Sequence, residues 1–215
     1  MKKAIIFCNG DLSNISLIKE IISKADYIIC ANGGTKHAIK LHLIPHMVIG
    51  DYDSLPAMTK KKLVKHAIEW IQHPKKKDKS DSELALEIAL KRGFKKIIIS
   101  GVLGTRLDHL LANIFLLVKN HQNNIDLKII EGNQEIFVVK NKITVVTNKG
   151  SSFSLVPLMG DCQGVTTNGL YYQLNNEILH FGSSRGISNI ATKSKVIIAL
   201  THGVLLVFHK NVIKR

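Results

Sequence analysis

The chain of 215 residues is 45% hydrophobic and 21% charged, which is enough to bury a core as one large or two small domains and excludes a disordered chain. Its formal net charge of +14 invites a polyanionic partner, but the lysines cluster as TKKKLVKH and PKKKDKSD with little aromatic interleaving, which favours a solvated surface over a nucleic-acid groove. No apolar run approaches the roughly 20 residues that span a bilayer, and Cys8, Cys30 and Cys162 lack the spacing of a disulfide framework or a structural zinc site.

In chain order, MKKAIIFCNGD opens with about five apolar residues, short of the roughly 7–15 residue core of a signal peptide, and a turn follows at once. It reads as the first β-strand of a cytoplasmic protein. Up to residue 131, short apolar runs (KAIIFC, DYIICA, HMVIG, IEWIQ, KKIIIS, DLKIIE) alternate with helix-compatible segments (SLIKEIISKA, TKHAIKLHL, TKKKLVKHA, SDSELALEIALKRG, RLDHLLANIFLLVKNH). Strand and helix in alternation imply a doubly wound, mostly parallel α/β sheet over residues 1–131. From residue 132 to 215 the pattern changes to QEIFVVKN, KITVVTNK, SFSLVPL, GLYYQLN, EILHFGS, KVIIALTH and VLLVFHK, split by Asn, Gly and Ser turns. This spacing without helices predicts an antiparallel sandwich or barrel, hence a second domain.

Ligands of open α/β sheets bind at the carboxyl ends of the strands, so the polar residues that follow each strand are the candidates. After the second strand, Asn32, Gly33 and Gly34 of CANGGTKH suit a phosphate or ribose passing close to the backbone, or an ordinary tight turn. After the third, MVIGDYDSL carries Asp51 and Asp53. In an extended segment both would point the same way and could face one Mg²⁺, with Gly50 admitting a close approach; the alternative is a solvated turn. In KKKDKSDSELAL, Ser80 and Glu83 form a capping box, and Asp81 sits in the first helical turn behind Lys75, Lys76 and Lys77. That is either an anion site or a simple complement to the helix dipole. In SGVLGTRLDHLLANIFLL, Thr105 is the expected N-cap and Arg106 opens the helix. Leu107, Leu110, Leu111, Ile114, Phe115 and Val118 are its expected buried stripe, and Asp108, His109 and Asn113 form a polar group near its start. All four motifs fall on one sheet edge. Together they point to a Mg²⁺-dependent site for a phosphorylated ligand, most simply a nucleotide.

The ordered set ANGG, PHMVIGDYDSL, PKKKDKSD, GTRLDHLLAN, SLVPL, GVTTNGLYYQL and SRGISN resembles the thiamine pyrophosphokinase family over about residues 28 to 207. The resemblance implies transfer of the diphosphate group of ATP to the hydroxyl of thiamine, giving thiamine diphosphate and AMP. It also implies an α/β ATP-binding domain followed by a thiamine-binding β-sandwich, in a homodimer with thiamine at the subunit interface. By position, Asp51, Asp53 and Asp81 would carry Mg²⁺ and the triphosphate, with Asp108 as a further catalytic carboxylate. Asn32, Gly33, Gly34, Asp78, Ser80, Arg106, His109 and Asn113 would line the nucleotide side, and Ser188 and Asn189 would face thiamine. The family often has Asp where this chain has Asn32, Thr where it has Ser80, and a polar or acidic residue where it has Ile190. A pterin alcohol as acceptor and a basic nucleic-acid-binding protein are the competing readings. The first needs the same carboxylates; the second needs neither Asp51 nor Asp53 and predicts a steep loss of affinity with salt.

Overall fold

The computed structural model describes residues 3–23, 26–121 and 124–212, and the chain divides after Gly132 into two compact units. In the first unit the apolar runs become β1 (Lys3–Phe7), β2 (Tyr27–Ala31), β3 (Met47–Gly50), β4 (Glu69–Gln72), β5 (Lys96–Ser100) and β6 (Asp126–Glu131). All pair in parallel, in the order β6-β5-β1-β2-β3-β4. Between them lie α1 (Ile15–Ile21), α2 (Thr35–Lys40), α3 (Ala57–Leu63), α4 (Asp81–Lys91) and α5 (Leu107–Lys119).

The central strands are apolar at nearly every position because both faces are covered. Ile5, Phe7, Cys30, Val48 and Ile98 belong to one core cluster, while Ile6, Ile29, Met47, Ile49, Ile97 and Ile99 are also fully buried. The chain winds outward from β1 in both directions, so the strand order reverses between β1 and β5. That switch point opens a crevice at the strand carboxyl ends, where a doubly wound sheet receives its ligand.

Two expectations for α5 change. The helix starts at Leu107 after Arg106, with no side-chain cap, so Thr105 is not the N-cap. The expected buried stripe is largely outside: Leu107, Leu111 and Phe115 are 71%, 50% and 47% exposed, and the buried positions are Asn113, Leu116 and Leu117. Apolar residues occur on almost every side of this helix, so helical spacing could not choose a face. A polar contact does so instead, since Ser82 Oγ on α4 donates to Asn113 Oδ1 at 2.7 Å.

The second unit holds β7 (Gln134–Val139), β8 (Lys142–Val146), β9 (Ser152–Pro157), β10 (Cys162–Asn168), β11 (Glu177–Leu179), β12 (Asn189–Ile190), β13 (Lys195–Ala199) and β14 (Leu205–Lys210). They pair antiparallel as β12-β9-β14-β7 and β11-β10-β13-β8. Alternate residues of both sheets, among them Phe137, Phe153, Leu155, Val165, Val196, Ile198 and Val207, build one core, which makes this unit a β-sandwich. CQGVTTN, not among the expected strands, is β10, with Cys162, Val165 and Thr167 buried. The aromatic run GLYYQLN, expected as a strand, is a loop with a single bridge from Leu170 to Ala191, and its two tyrosines are exposed. Tyrosine favours a strand only where a half-buried pleated surface receives it.

Candidate active site

A cleft of about 700 Å³ opens at the carboxyl ends of the strands around the switch point, a size that suits a nucleotide. Its wall includes Asn32, Asp51, Asp53, Ser80, Asp81, Arg106, His109 and Asn113, eight of the residues singled out from sequence. Gly33, Gly34, Asp78 and Asp108 are not part of that wall.

The paired aspartates are held by an amide. Asn32 follows β2 in a left-handed conformation (φ 46°), and its Nδ2 donates to Asp51 Oδ1 at 2.7 Å and to Asp53 Oδ1 at 3.0 Å. Carboxylates only accept, so this orientation of the amide follows from chemistry, and Asn32 Oδ1 is left buried with no hydrogen-bond partner among the described residues. The two carboxylates do not converge through an extended segment. Residues 51–54 form a turn in which Tyr52 takes a left-handed φ of 65°, and Asp53 N donates to Asp51 Oδ1 at 3.1 Å. A bulky residue there is strained and needs support, which the Trp70 ring provides edge-on at 5.4 Å.

Gly50 (φ 146°) makes the cluster possible. A Cβ there would stand 2.9 Å from Asn32 Cβ and 3.2 Å from Asp81 Cγ, so glycine lets Asn32 and Asp81 close in on one point. Gly33 and Gly34 serve packing in the same way: side chains there would collide with Asn9 and with the Phe7 carbonyl.

Positive charge surrounds the carboxylates. Lys75 Nζ lies 3.2 Å from Asp53 Oδ2, and Lys77 Nζ lies 2.7 Å from Asp81 Oδ1. The Asn32 amide first, then the Ser54 hydroxyl and Lys75, hold the Asp53 carboxyl well below the usual range. Ser80 caps α4 by accepting from Glu83 N at 3.2 Å, as its sequence implies. Arg106 grips Asp108 in a two-point pair of 2.9 and 2.6 Å, which holds the exposed Asp108 carboxyl low and occupies it outside the cleft. Asp78 is exposed in the lysine-rich loop.

Asn9, Gly10 and Asp11 also line the cleft, and sequence reasoning took them only as the turn that stops the first strand. Their signal was position, since the loop after β1 always borders a switch point between β1 and β5.

In the sandwich, Ser188 has φ 60° and its N–H donates to Ser154 Oγ at 3.1 Å. The Asn189 amide is spent within the fold: Oδ1 accepts from Tyr172 N at 3.0 Å and Nδ2 donates to Tyr172 O at 2.7 Å. It thereby fixes the exposed Tyr171–Tyr172 pair, whose rings meet edge-on at 4.9 Å.

No group of three or more His, Cys, Asp or Glu among the described residues is arranged as a ready-made metal centre. The donor set nevertheless fits a hard cation, because the orphaned Asn32 oxygen and three nearby carboxylates are all oxygen ligands.

An acidic, lysine-rimmed cleft at the switch point of a doubly wound sheet, followed by a sandwich, defines a two-domain enzyme of the nucleotide-dependent group-transfer class. The comparisons carry this further. The model of the thiamin pyrophosphokinase catalytic domain matches residues 18–129, and that of the thiamin pyrophosphokinase vitamin B1 binding domain matches residues 140–205. Thiamine pyrophosphokinase of Bacillus subtilis is 30% identical over 175 residues, covering 80% of this chain and 82% of that one. The crystal structure of a Bacillus subtilis thiamine pyrophosphokinase superposes with a TM-score of 0.89 at 27% identity, covering 99% and 100% of the two chains. That of Geobacillus thermodenitrificans gives 0.86 at 25%, covering 99% and 98%. The chain belongs to the thiamine pyrophosphokinase family, a family of ATP-dependent diphosphotransferases.

Proposed function

We propose that this protein transfers the diphosphate group of ATP to the hydroxyl of thiamine, with Mg²⁺ as the metal ion and Asp51, Asp53 and Asp81 as its carboxylate ligands. The observation that carries the reading is the closure of Asn32, Asp51, Asp53 and Asp81 on one point of a lysine-rimmed cleft. In the reaction the hydroxyl oxygen bonds to the β-phosphorus, the bond from that phosphorus to the bridging oxygen of AMP breaks, and the hydroxyl proton is released. Bound Mg²⁺ would neutralise the phosphate oxygens, which is the main demand of this chemistry.

The chain's own residues do the positioning. Lys75, Lys77 and Arg106 meet phosphate charge, Asn32 keeps Asp51 and Asp53 together before any ligand arrives, and Ser80 shapes the start of α4 at the cleft. Asp53, held low by the Asn32 amide, is a poor base, so its work is charge placement rather than proton abstraction. Asp108 acts through Arg106. In the sandwich, Ser188 and Asn189 face thiamine, and Asn189 also holds the Tyr171–Tyr172 loop in place.

A homodimer belongs to the same reading, supported by the apolar side of α5 that a lone subunit would leave in water. A cytoplasmic location is supported by three free, buried cysteines, and no helix among the described residues is long and apolar enough to cross a membrane. Incubation with ATP, Mg²⁺ and thiamine tests the proposal: AMP and thiamine diphosphate should appear together and vanish with EDTA. AMP formation that ignores thiamine would overturn the acceptor and turn attention to pterin alcohols.

A further inference from the structure

One wall of the cleft is built from two loops, Cys8–Asp11 after β1 and Gly101–Arg106 after β5. Backbone bonds lace them together: Cys8 N to Ser100 O at 2.8 Å, Gly10 N to Gly101 O at 2.7 Å and Asp11 N to Leu103 O at 2.5 Å. There is no slack in this lacing, since a Cβ on Gly10 would lie 2.1 Å from the Leu103 carbonyl oxygen. Beneath it sits a single buried carboxylate. Glu131, the last residue of β6, is 4% exposed, and its Oε1 accepts from Val102 N at 2.7 Å. Its Oε2 is buried with no hydrogen-bond partner among the described residues.

The groups facing Glu131 come from both loops and from Ser13, just ahead of α1. Burial opposes its ionised form, the amides of Val102, Gly101 and Ser13 favour it, and Asp11 opposes it; burial first, and the Glu131 charge second, push the Cys8 thiol up to about 12. On α2, His37 Nε2 meets Gly10 O at 2.9 Å and therefore donates; burial lowers its pKa, so the ring is neutral and adds no counter-charge. An uncharged acceptor would satisfy Val102 N with far less desolvation than a buried anion, so the carboxylate points to a use for charge.

We propose that Glu131 is a positioning residue for nucleotide binding: its carboxylate grips the Val102 amide and seats the Gly101–Arg106 loop against the Cys8–Asp11 loop, setting the wall that receives ATP. The inference rests on the reading of the cleft as an ATP site. Burial raises the Glu131 pKa from the ordinary glutamate range to about 7. A raised acid favours the folded state in its protonated form, so the stability it contributes is complete below about pH 4.5 and is lost as pH rises through about 7. The grip on the Val102 amide, in contrast, is strongest once Glu131 is ionised. Stability and nucleotide affinity therefore move in opposite directions across neutral pH, which a purely structural glutamate would not do.

The test uses Glu131→Gln, Glu131→Asp and wild type, with calorimetric titration of ATP and Mg²⁺, thiamine-dependent AMP formation, and melting curves from pH 6 to 9. Glu131→Gln should melt at or above the wild-type temperature at pH 8. It should also weaken ATP binding and raise KM for ATP about tenfold, with a smaller effect on kcat, and lose the dependence of affinity on pH near 7. Glu131→Asp, which keeps the charge, should retain that pH dependence at reduced affinity. Wild-type affinity and pH profile in Glu131→Gln would overturn the inference alone. Wild type that binds no ATP would overturn it together with the reading of the cleft. Wild type that binds ATP yet forms no thiamine-dependent AMP would remove only the acceptor, and the binding comparison would still decide the role of Glu131.

Discussion

In the sandwich, most polar side chains that reach the interior close on one another, although His209 Nδ1 is buried with no hydrogen-bond partner among the described residues. Thr147 Oγ1 meets His209 Nε2 at 2.8 Å and Asn211 Oδ1 at 3.2 Å, Ser151 Oγ reaches the same Asn211 oxygen at 3.3 Å, and Asn189 spends both ends of its amide on Tyr172. In the α/β unit the polar residues at the strand ends are left short of partners. Asn32 Oδ1 and Glu131 Oε2 are buried without one among the described residues, Asp51 and Asp53 share one amide, and the left-handed residues Asn32 and Tyr52 fall at the carboxylate cluster itself, whereas Met159, Asn176 and Ser188 hold such backbones in sandwich loops. A fold gains little from such arrangements by itself, since unsatisfied buried groups and strained dihedrals each cost free energy. Chemistry is therefore concentrated in the first unit, while the second offers a rigid surface.

Four substitutions test this contrast, beginning with the largest expected effect. Asp53→Ala should reduce thiamine-dependent AMP formation by about 10³-fold or more while lowering the melting temperature by no more than about a few degrees, because the exposed Asp53 loses its contacts with Asn32, Ser54 and Lys75 but the fold keeps its core. Activity within a few-fold of wild type would remove the metal-site argument. Gly50→Ala should cost about 100-fold in kcat/KM and roughly 1–3 kcal/mol of stability in urea unfolding, since its Cβ meets Asn32 and its φ suits glycine. An unaffected rate would mean that Asn32 and Asp81 need not meet.

Asn189→Ala should raise KM for thiamine about tenfold and leave KM for ATP untouched, because the Tyr172 backbone loses both its partners. Equal changes in both constants would contradict the division of labour between the units. Asn32→Asp should lower the melting temperature by a few degrees in EDTA and recover it with Mg²⁺, as three carboxylates replace an amide-bridged pair. A melting curve indifferent to Mg²⁺ would count against the cation site.

Much of the first unit was legible because its signals are local. Apolar runs mark buried parallel strands, Ser80 with Glu83 marks the start of α4, and the acidic residues after β3 and in the first turn of α4 reach the cleft as topology requires. The face that α5 buries was not legible, because a Leu-rich helix offers several apolar sides and the choice depends on Ser82 of α4 meeting Asn113. The way Asp51 and Asp53 converge was also hidden. Their spacing implies an extended pair, whereas the turn at Tyr52 depends on a Trp70 ring that lies far along the chain. In the second unit, β10 carries the strand formers Val165, Thr166 and Thr167 but is framed by Gly164 and Asn168, which read as turn residues, and pairing with β11 and β13 decides it.

By itself, then, the order of residues determined the alternation of strands and helices, the change to an all-β pattern near residue 131, and the types of chemical group available at the sheet edge. Each of these depends on neighbours within a few positions, where periodicity and turn chemistry act. Only the tertiary structure decided which groups remain short of a partner, that Asn32 bridges the aspartates, and that Glu131 lies buried under the β1 and β5 loops. Burial and hydrogen-bond satisfaction are set by segments far apart in the chain, and they exist only once those segments have packed.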